Sequence, residues 1–325
     1  ICPLGSCPSF DGLVTTTING KLTAIEGDPD HPWTKGFICA KARREADAVY
    51  HPRRFTQPLL KTNGGWKPIS WPEAIEIAAD HLGDVKDRFG ARSICTTLPD
   101  PAMALFTRSL GSPNEMANTD LCQGTAEVAD LLTYGDVITI YRSAQDFGNS
   151  NCVLLVGTNP PISSGGQWVD IVHATRKGAK LIVVDPRRTE AARQADLWLQ
   201  IRPGTDGALA LAMLNVIINK KLYDQEFVND YCVGFEQLSA HVQQYTPAWA
   251  SDITSIPSDA IVEAALLYAT NGPASYRGNL GIGLHTNSTH TARAFAALIS
   301  ITGNVDVPGG NRLADPLPPP CKLVN

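Results

Sequence analysis

The sequence predicts an α/β protein in which a small β-domain precedes α/β domains that include a doubly wound parallel sheet. After residue 137, almost continuously apolar runs (NCVLLVG, AKLIVVD, ADLWLQI) alternate with helical patterns, as in a parallel sheet covered by helices on both faces. The helices are punctuated as expected, since one ends at Gly178 and another opens at Asp206. Residues 10–28 alternate around Asn19-Gly20, the strongest short signal for a β-hairpin.

The other segments are predicted in chain order. KARREADAVYHPRRF is expected to be partly helical. WKPISWPEAIEIAADHLGDVKDRFG has apolar residues at helical spacing, with Ser70 as the N-cap and Gly90 at the end. ARSICTTL is predicted to be a strand, and the residues after 272 are glycine-rich pieces around a helix, THTARAFAALISI.

Composition excludes two classes of partner. The 325 residues are 43% hydrophobic and 18% charged, with a net charge of −5. This balance is ordinary for a globular protein, and it offers no basic stripe for nucleic acid. The sequence contains no apolar run of about 18 residues, so we expect no membrane span.

The eight cysteines are spread too thinly for a small disulfide scaffold. Cys95 and Cys152 lie in apolar stretches and are expected to be buried core thiols. Cys2, Cys7 and Cys39 form a different group, because a hairpin separates two closely spaced thiols from a third. This set suits an iron–sulfur cluster, which normally takes four thiolates, but it also fits zinc or no metal.

Cys122 stands at the expected start of a helix, in TDLCQGTAEVADLL. The positive end of a helix dipole favours a thiolate, which is the form that binds a soft metal. Taken alone, however, the residue fits a structural cysteine better.

Several ordered motifs resemble the dimethyl-sulfoxide-reductase family of molybdopterin oxidoreductases. They are GDPDHPWTKGFICAKARR, YHPRRFTQPL, WKPISWPEA, LLVGTNP (154–160), VVDPRRTEAARQADLWLQIRPGTDGAL (183–209) and ITGNVDVPGG (301–310). Their agreement in order and spacing over nearly the whole chain is more specific than any one motif. The resemblance implies a 4Fe–4S cluster and a molybdenum or tungsten centre held by two molybdopterin guanine dinucleotides.

The resemblance also implies roles for individual residues. Cys2, Cys7 and Cys39 would ligate the cluster, with a fourth cysteine upstream of Ile1. Lys41, two residues after the last cluster cysteine, would lie between the cluster and a pterin. Cys122 would ligate the molybdenum or tungsten.

The dinucleotide should bind in the loops that follow the strands, because its phosphates favour backbone N–H groups at helix starts and glycine turns. The candidate residues are Gly157, Thr158, Asn159, Gly165, Gly166, Asp185, Arg187, Arg188, Gly204, Asp206 and His285. Asp185 could bind ribose hydroxyls or simply end a strand. Asp206 could bind a guanine N–H edge or cap its helix, and His285 and His290 could contact cofactor or be structural.

Two positions bear on the branch of the family. Gln123 follows Cys122 where formate dehydrogenases of the family carry His, which argues against formate. The 111–240 region, with LCQGTA and VNDYCVGFEQL, looks most like the acetylene hydratase branch. The hydratase of that branch uses an aspartate directly after its second cluster cysteine, where Pro3 stands here.

We expect a cluster domain at 1–58, the first part of a divided α/β domain at 59–136, a doubly wound dinucleotide domain at 137–271 and a return segment at 272–325. The chain opens at Ile1 and lacks the family's C-terminal cap domain, so we expect a piece of a longer protein.

The predicted function is two-electron chemistry, often oxygen-atom transfer, on a small-molecule substrate. Electrons would pass by Lys41 and the cluster to an iron–sulfur partner subunit. One alternative is a non-redox hydratase or hydroxyl-transfer enzyme that uses the same cofactors. Another is a metal-free subunit that only conducts electrons.

Overall fold

The computed structural model describes residues 11–32, 34–97, 101–116, 122–139, 145–278 and 280–313. The strands are β1 (Leu13–Ile18), β2 (Lys21–Gly27), β3 (Leu59–Thr62), β4 (Gly65–Pro68), β5 (Cys152–Val156), β6 (Lys180–Val184), β7 (Leu197–Leu199) and β8 (Ala274–Gly278). The α-helices are α1 (Ala40–Arg43), α2 (Glu45–Val49), α3 (Trp71–Phe89), α4 (Pro101–Ser109), α5 (Gly124–Tyr134), α6 (Pro160–Ser163), α7 (Gly165–Arg176), α8 (Asp206–Asn219), α9 (Gln225–Tyr231), α10 (Phe235–His241), α11 (Pro247–Thr254), α12 (Ser258–Thr270), α13 (Leu280–Gly283) and α14 (Ser288–Ile301). Among the described residues, no helix is both long and apolar enough to cross a membrane.

The described residues fall in two compact units. Within the described ranges, one unit takes in residues 11–14, 26–39 and 122–313, and the other takes in residues 15–25 and 40–116. The first contains the large parallel sheet and most of the predicted site residues. The second contains α1 to α4 and the small sheet of β3 and β4.

The predicted hairpin at the amino end is confirmed. Strands β1 and β2 pair in a two-stranded sheet. Asn19 and Gly20 join them with φ angles of 51° and 75°, the left-handed pair that a two-residue hairpin turn requires.

The predicted helix after Ser70 is also confirmed. The Ser70 hydroxyl accepts a hydrogen bond from the Glu73 N–H at 3.3 Å, which satisfies a backbone donor that the first turn leaves free. Gly90 ends α3 with a φ of 81°, a backbone conformation that favours glycine. The segment after Cys39 is partly helical as expected, in α1 and α2.

The prediction of a strand in ARSICTTL is wrong, and so is the prediction that Cys95 is a core residue. Residues Ala91–Ser93 form a short 3₁₀ turn, and Thr96 makes only an isolated bridge with Glu115. Neighbouring side chains of extended backbone point in opposite directions. Burial of Ile94 therefore leaves Cys95 exposed. Cys152, by contrast, is fully buried as predicted.

The central sheet confirms the predicted doubly wound architecture. Its strand order is β7-β6-β5-β8, and the three neighbouring pairs are parallel. The chain starts in the interior of the sheet at β5, moves to one side through β6 and β7, and returns to the other side at β8. Sequence reasoning predicted β5, β6 and β7 but not β8. The order of strands reverses between β5 and β8, which is where open α/β sheets bind ligands.

Both faces of the sheet are packed. Leu154 and Ile182 belong to the larger hydrophobic core, to which α8, α12 and α14 contribute. Val153 and Leu155 point to the opposite face and join a smaller core with Ile171 of α7. Because β5 is buried on both faces, its sequence is continuously apolar. Each such side chain contributes about 1.5–3 kcal/mol of burial free energy.

Two asparagine side chains cover the edge of β8. The Asn311 amide accepts a hydrogen bond from the Tyr276 N–H at 2.8 Å and donates to the Tyr276 carbonyl at 2.9 Å. The Asn304 side chain accepts from the Ala274 N–H at 2.8 Å. No other described strand pairs with this edge of β8, and these side chains bond backbone groups that an edge strand otherwise leaves unpaired. The ITGNVDVPGGN segment therefore has a structural role at the switch point.

Candidate cofactor site

The loop after β5 places polar side chains at the carboxyl end of the sheet. Thr158 and Ser164 are buried. Their hydroxyl oxygens, together with Asn159 Oδ1, have no hydrogen-bond partner within the described residues. Buried polar atoms in native proteins nearly always have partners. These three atoms are therefore available to a polar ligand.

The loops after β6 and β7 line a pocket of about 190 Å³ beside this loop. Its walls include Gly157, Asp185, Arg187, Asp206 and His285, all of which are candidates from the sequence. The volume is small compared with the roughly 300–1,000 Å³ of a pocket for a whole small-molecule ligand. It suits one part of a longer ligand, such as a nucleoside.

Asp185, directly after β6, forms hydrogen bonds that fix the turn beside this pocket. Its Oδ1 atom accepts a hydrogen bond from the Arg187 N–H at 2.8 Å, so the carboxylate shapes the turn after β6. The Asp185 carbonyl accepts from Trp198 Nε1 at 3.0 Å. The neighbouring Arg188 guanidinium lies over the Trp198 ring, 5.9 Å from its centroid, outside the residues that line the pocket.

Asp206 is the first residue of α8, and Thr205 occupies the N-cap position. Burial raises the pKa of Asp206 to about 6, an effect that its own backbone N–H and His285 oppose and that Asp185 reinforces. Gly204 comes close to His285, since a Cβ on Gly204 would lie 3.2 Å from the imidazole Nδ1. An acid with a raised pKa beside a second acid in a cleft indicates a functional site.

Two glycines bring the β5 and β8 loops into contact at the switch point. A Cβ on Gly281 would lie 2.5 Å from Gly157 Cα, and a Cβ on Gly157 would lie 2.7 Å from Gly281 Cα. The Gly281 N–H donates to the Gly157 carbonyl at 3.2 Å. Only glycine permits this approach of backbone to backbone.

The same short helix α13 brings Cys122 towards the pocket. A Cβ on Gly283 would lie 2.8 Å from the Cys122 carbonyl oxygen. The Thr125 hydroxyl donates to the Gly283 carbonyl at 3.3 Å. Gly283 is two residues from Gly281, which lines the pocket. The Cys122 backbone carbonyl therefore lies against Gly283, two residues along α13 from the pocket wall. Cys122 itself is half-buried and lies just before α5.

Further contacts fix the helix that follows Cys122. The Asp130 carboxylate accepts hydrogen bonds from the Ile138 and Thr139 N–H groups at 2.9 and 2.8 Å. Burial raises the pKa of Asp130 to about 6, although these hydrogen bonds oppose the rise. The Tyr134 hydroxyl donates to the Ala296 carbonyl of α14 at 2.6 Å. Sequence reasoning did not find Gly281, Gly283, Thr125 or Asp130.

The predicted cluster residues are placed only in part. Cys2 and Cys7, and with them Pro3, lie outside the described residues. Cys39 is half-buried and immediately precedes α1, and Lys41 is an exposed residue of α1. Cys39 and Lys41 belong to different compact units.

The residues fit a phosphate-bearing nucleotide on chemical grounds. Hydroxyls at a buried loop can donate to phosphate oxygens, and Arg187 offers a charged donor at the pocket. Asp185 and Asp206 can accept from ribose hydroxyls or from the N–H edge of a base. Cys122, whose backbone lies near the same helix α13, carries a sulfur of the kind that can bind a soft metal.

These features define a class: a doubly wound α/β protein with a pocket of nucleotide-binding type at its switch point and a cysteine whose backbone contacts the helix that lines that pocket. Family comparison makes the assignment narrower. The molybdopterin oxidoreductase model matches residues 54–314, and the molybdopterin oxidoreductase Fe4S4 domain model matches residues 1–51. The chain belongs to the molybdopterin oxidoreductases, and its amino-terminal part is their Fe4S4 domain.

Individual relatives agree with this assignment. The chain is 32% identical over 311 residues to the alpha subunit of a formate dehydrogenase from Methanocaldococcus jannaschii, covering 95% of this chain and 46% of the relative. It is 34% identical over 303 residues to acetylene hydratase from Syntrophotalea acetylenica, covering 88% and 40%. The solved structure of acetylene hydratase from Pelobacter acetylenicus matches with a TM-score of 0.80 and 33% identity, over 92% of this chain and 43% of that one. The chain thus spans less than half the length of these relatives.

Replacing Asp206 by Asn is expected to stabilise the fold at neutral pH. The folded protein holds this carboxyl with a pKa of about 6 against an ordinary 3.8, so above pH 6 folding carries the full cost of a buried charge. That cost falls between pH 6 and 4, where the folded state binds a proton that the unfolded state does not, and it is absent at lower pH. Urea unfolding at pH 7 should show a gain on the order of 1–3 kcal/mol, which shrinks towards pH 4.

The matched control is Asp259→Asn, an exposed acid in the first turn of α12. It should show no gain at either pH. A loss of stability on changing Asp206 to Asn at pH 7 would show instead that the carboxylate is held by favourable structural contacts.

Proposed function

We propose that this chain binds molybdopterin guanine dinucleotide, with two copies holding molybdenum or tungsten, and forms the cofactor-binding part of a two-electron oxidoreductase. One observation carries the proposal. Gly157 contacts Gly281 of α13, and Gly283 of the same helix contacts the backbone carbonyl of the half-buried Cys122, so α13 links Cys122 to the pocket lined by Asp185 and Asp206. Family membership supports a molybdopterin cofactor there.

Different residues of the loops would bind different parts of the dinucleotide. The Thr158 and Ser164 hydroxyls, which lack partners among the described residues, would donate to phosphate, and Arg187 would neutralise its charge. Asp206 would accept from the guanine edge, which requires its ionised form. With the pKa at about 6, that form predominates at neutral pH.

The bound metal and pterins would supply two-electron chemistry at a small-molecule substrate, often with an oxygen atom. The chain's part is to present the Cys122 sulfur to the metal and to keep it in place. Gly283, which packs against the Cys122 carbonyl, and Thr125, whose hydroxyl donates to the Gly283 carbonyl, would help to keep Cys122 in place.

The amino-terminal residues would carry electrons away from the site. Cys2, Cys7 and Cys39 would ligate the 4Fe–4S cluster together with a fourth cysteine, and Lys41 would lie between cluster and pterin. An iron–sulfur subunit is the partner that such a cluster would serve. The sequence match of residues 1–51 to the Fe4S4 domain supports this role.

Cofactor analysis tests the proposal directly. The protein is purified without oxygen from a host that makes the cofactor, and metals and acid-released GMP are measured. We expect about four iron atoms per chain, molybdenum or tungsten, and about two GMP per molybdenum or tungsten atom. Iron without either metal would favour the metal-free alternative, and absence of GMP would contradict the dinucleotide.

The non-redox alternative has a specific observation in its favour, the structural similarity to acetylene hydratase. Pro3 at the position of that enzyme's aspartate argues against it. Incubation with acetylene and no electron acceptor separates the two functions. Acetaldehyde formation under these conditions would favour a hydratase. No acetaldehyde, together with conversion of a small-molecule substrate only when a viologen dye is added to exchange electrons, would favour the oxidoreductase.

A further inference from the structure

The segment that ends at Cys39 touches the start of α7 through one aromatic ring. A Cβ on Gly165 would overlap Cε1 and Cζ of Phe37, so the ring rests directly on the glycine. Phe37 is half-buried and Ile38 is buried. Cys39 follows at once. All these residues belong to the same compact unit.

The turn that carries Phe37 is tightly bonded. The Phe37 N–H donates to the Thr34 carbonyl at 2.7 Å, and the Gly36 N–H donates to the Asp28 carbonyl at 2.7 Å. Thr34 is buried, and its hydroxyl accepts from the Gly12 N–H at 3.1 Å. These hydrogen bonds hold the backbone on either side of the turn together, and Phe37 lies two residues before Cys39.

The other side of the contact is the proposed nucleotide loop. Gly165 is the first residue of α7, and it directly follows Ser164, whose buried hydroxyl lacks a partner among the described residues. The sequence predicts that Gly165 is a glycine of the phosphate loop. Gly165 also makes room for the Phe37 ring, because glycine has no Cβ that would overlap the ring.

We propose that Phe37 is a positioning residue whose contact with Gly165 holds Cys39 in place for the cluster and joins the cluster to the nucleotide loop. The inference rests on the proposed function, because it requires Cys39 to ligate the cluster. Coupling of this kind is reciprocal. A dinucleotide that orders the loop also slows loss of the cluster.

Iron release to a ferrous chelator tests the contact in the holoenzyme. Phe37→Ala removes the ring, and Gly165→Ala displaces it. Each variant should release iron about tenfold faster than the unchanged protein, as expected when a contact worth about 1.4 kcal/mol is lost. The double variant should be no faster than either single one, because both changes break the same contact. The midpoint potential and the electron paramagnetic resonance spectrum of the cluster should shift alike in both single variants.

Three further measurements separate positioning from general destabilisation. Gly148→Ala adds a methyl group in open space within the same unit and should leave iron release unchanged. Phe37→Leu keeps an apolar contact with Gly165 and should release iron at nearly the rate of the unchanged protein. Cofactor-free protein should lose iron faster than loaded protein, and this difference should disappear in Gly165→Ala.

Wild-type rates in both single variants, or effects that add in the double variant, would overturn the inference. Equal iron release from loaded and cofactor-free protein would overturn the coupling to the nucleotide loop. If the unchanged protein holds no iron, the proposed function fails instead, so the two failures are distinguishable.

Discussion

Replacing Cys122 by Ala is expected to lower turnover by at least about a thousandfold, equivalent to about 4 kcal/mol of transition-state stabilisation. Under the proposed function Cys122 would be the protein's own ligand to the metal, and electron donation from its sulfur would tune the centre. X-ray absorption at the molybdenum or tungsten edge should show one sulfur neighbour fewer. Cys122→Ser should give an oxygen neighbour in its place, with intermediate activity.

The chain provides matched cysteine controls. Cys95 is exposed and Cys232 is half-buried, and both are free thiols. Cys95→Ala and Cys232→Ala should leave the absorption spectrum and the turnover unchanged. If Cys122→Ala left both unchanged as well, Cys122 would not be a metal ligand.

Replacing Gly281 by Ala is expected to destabilise the protein by about 3 kcal/mol, near the upper end of ordinary overpacking. The new Cβ would lie 2.5 Å from Gly157 Cα, and backbone cannot rotate away as a side chain can. The β5 and β8 loops must separate, which also opens the pocket between them. Urea unfolding measures the loss, and acid-released GMP should fall with it.

Gly83→Ala is the control for this substitution. Gly83 lies inside α3 with open space where its Cβ would be, so the same change should add up to about 1 kcal/mol of stability through helix propensity. The two glycines are thus expected to respond with opposite signs. A neutral or stabilising Gly281→Ala would mean that the switch-point loops are not held in close contact.

Much of the fold could be read from local patterns. The turn at Asn19-Gly20, the cap at Ser70 and the apolar runs of β5 and β6 each depend on neighbours within a few residues. Such signals can be recognised in the sequence because the spacing of apolar residues and helix capping depend only on nearby residues. The apolar residues of ARSICTTL predict a strand, but a strand needs a continuous partner, and the described residues 91–97 make only one isolated bridge.

The sequence predicted which loops form the candidate site, but not how the residues of those loops are buried or which distant residues they contact. Asp185 and Asp206 were predicted because strand ends and helix starts are visible in the sequence, and both line the pocket. Their metal- and cofactor-binding roles, like that of Cys122, stay proposals. The raised pKa of Asp206 was not predictable, since burial depends on chain segments distant in sequence.

By itself the sequence determined the alternation of strands and helices, the hairpin and the family to which the chain belongs. Only the tertiary structure decided that β8 completes the sheet, that Gly281 and Gly283 connect Gly157 to Cys122, and that Phe37 rests on Gly165. The physical reason is that these contacts join backbones and rings more than a hundred residues apart. Glycine is needed at such a position because a Cβ would clash with a residue that is distant in the sequence. The residues next to the glycine show no pattern that predicts this contact.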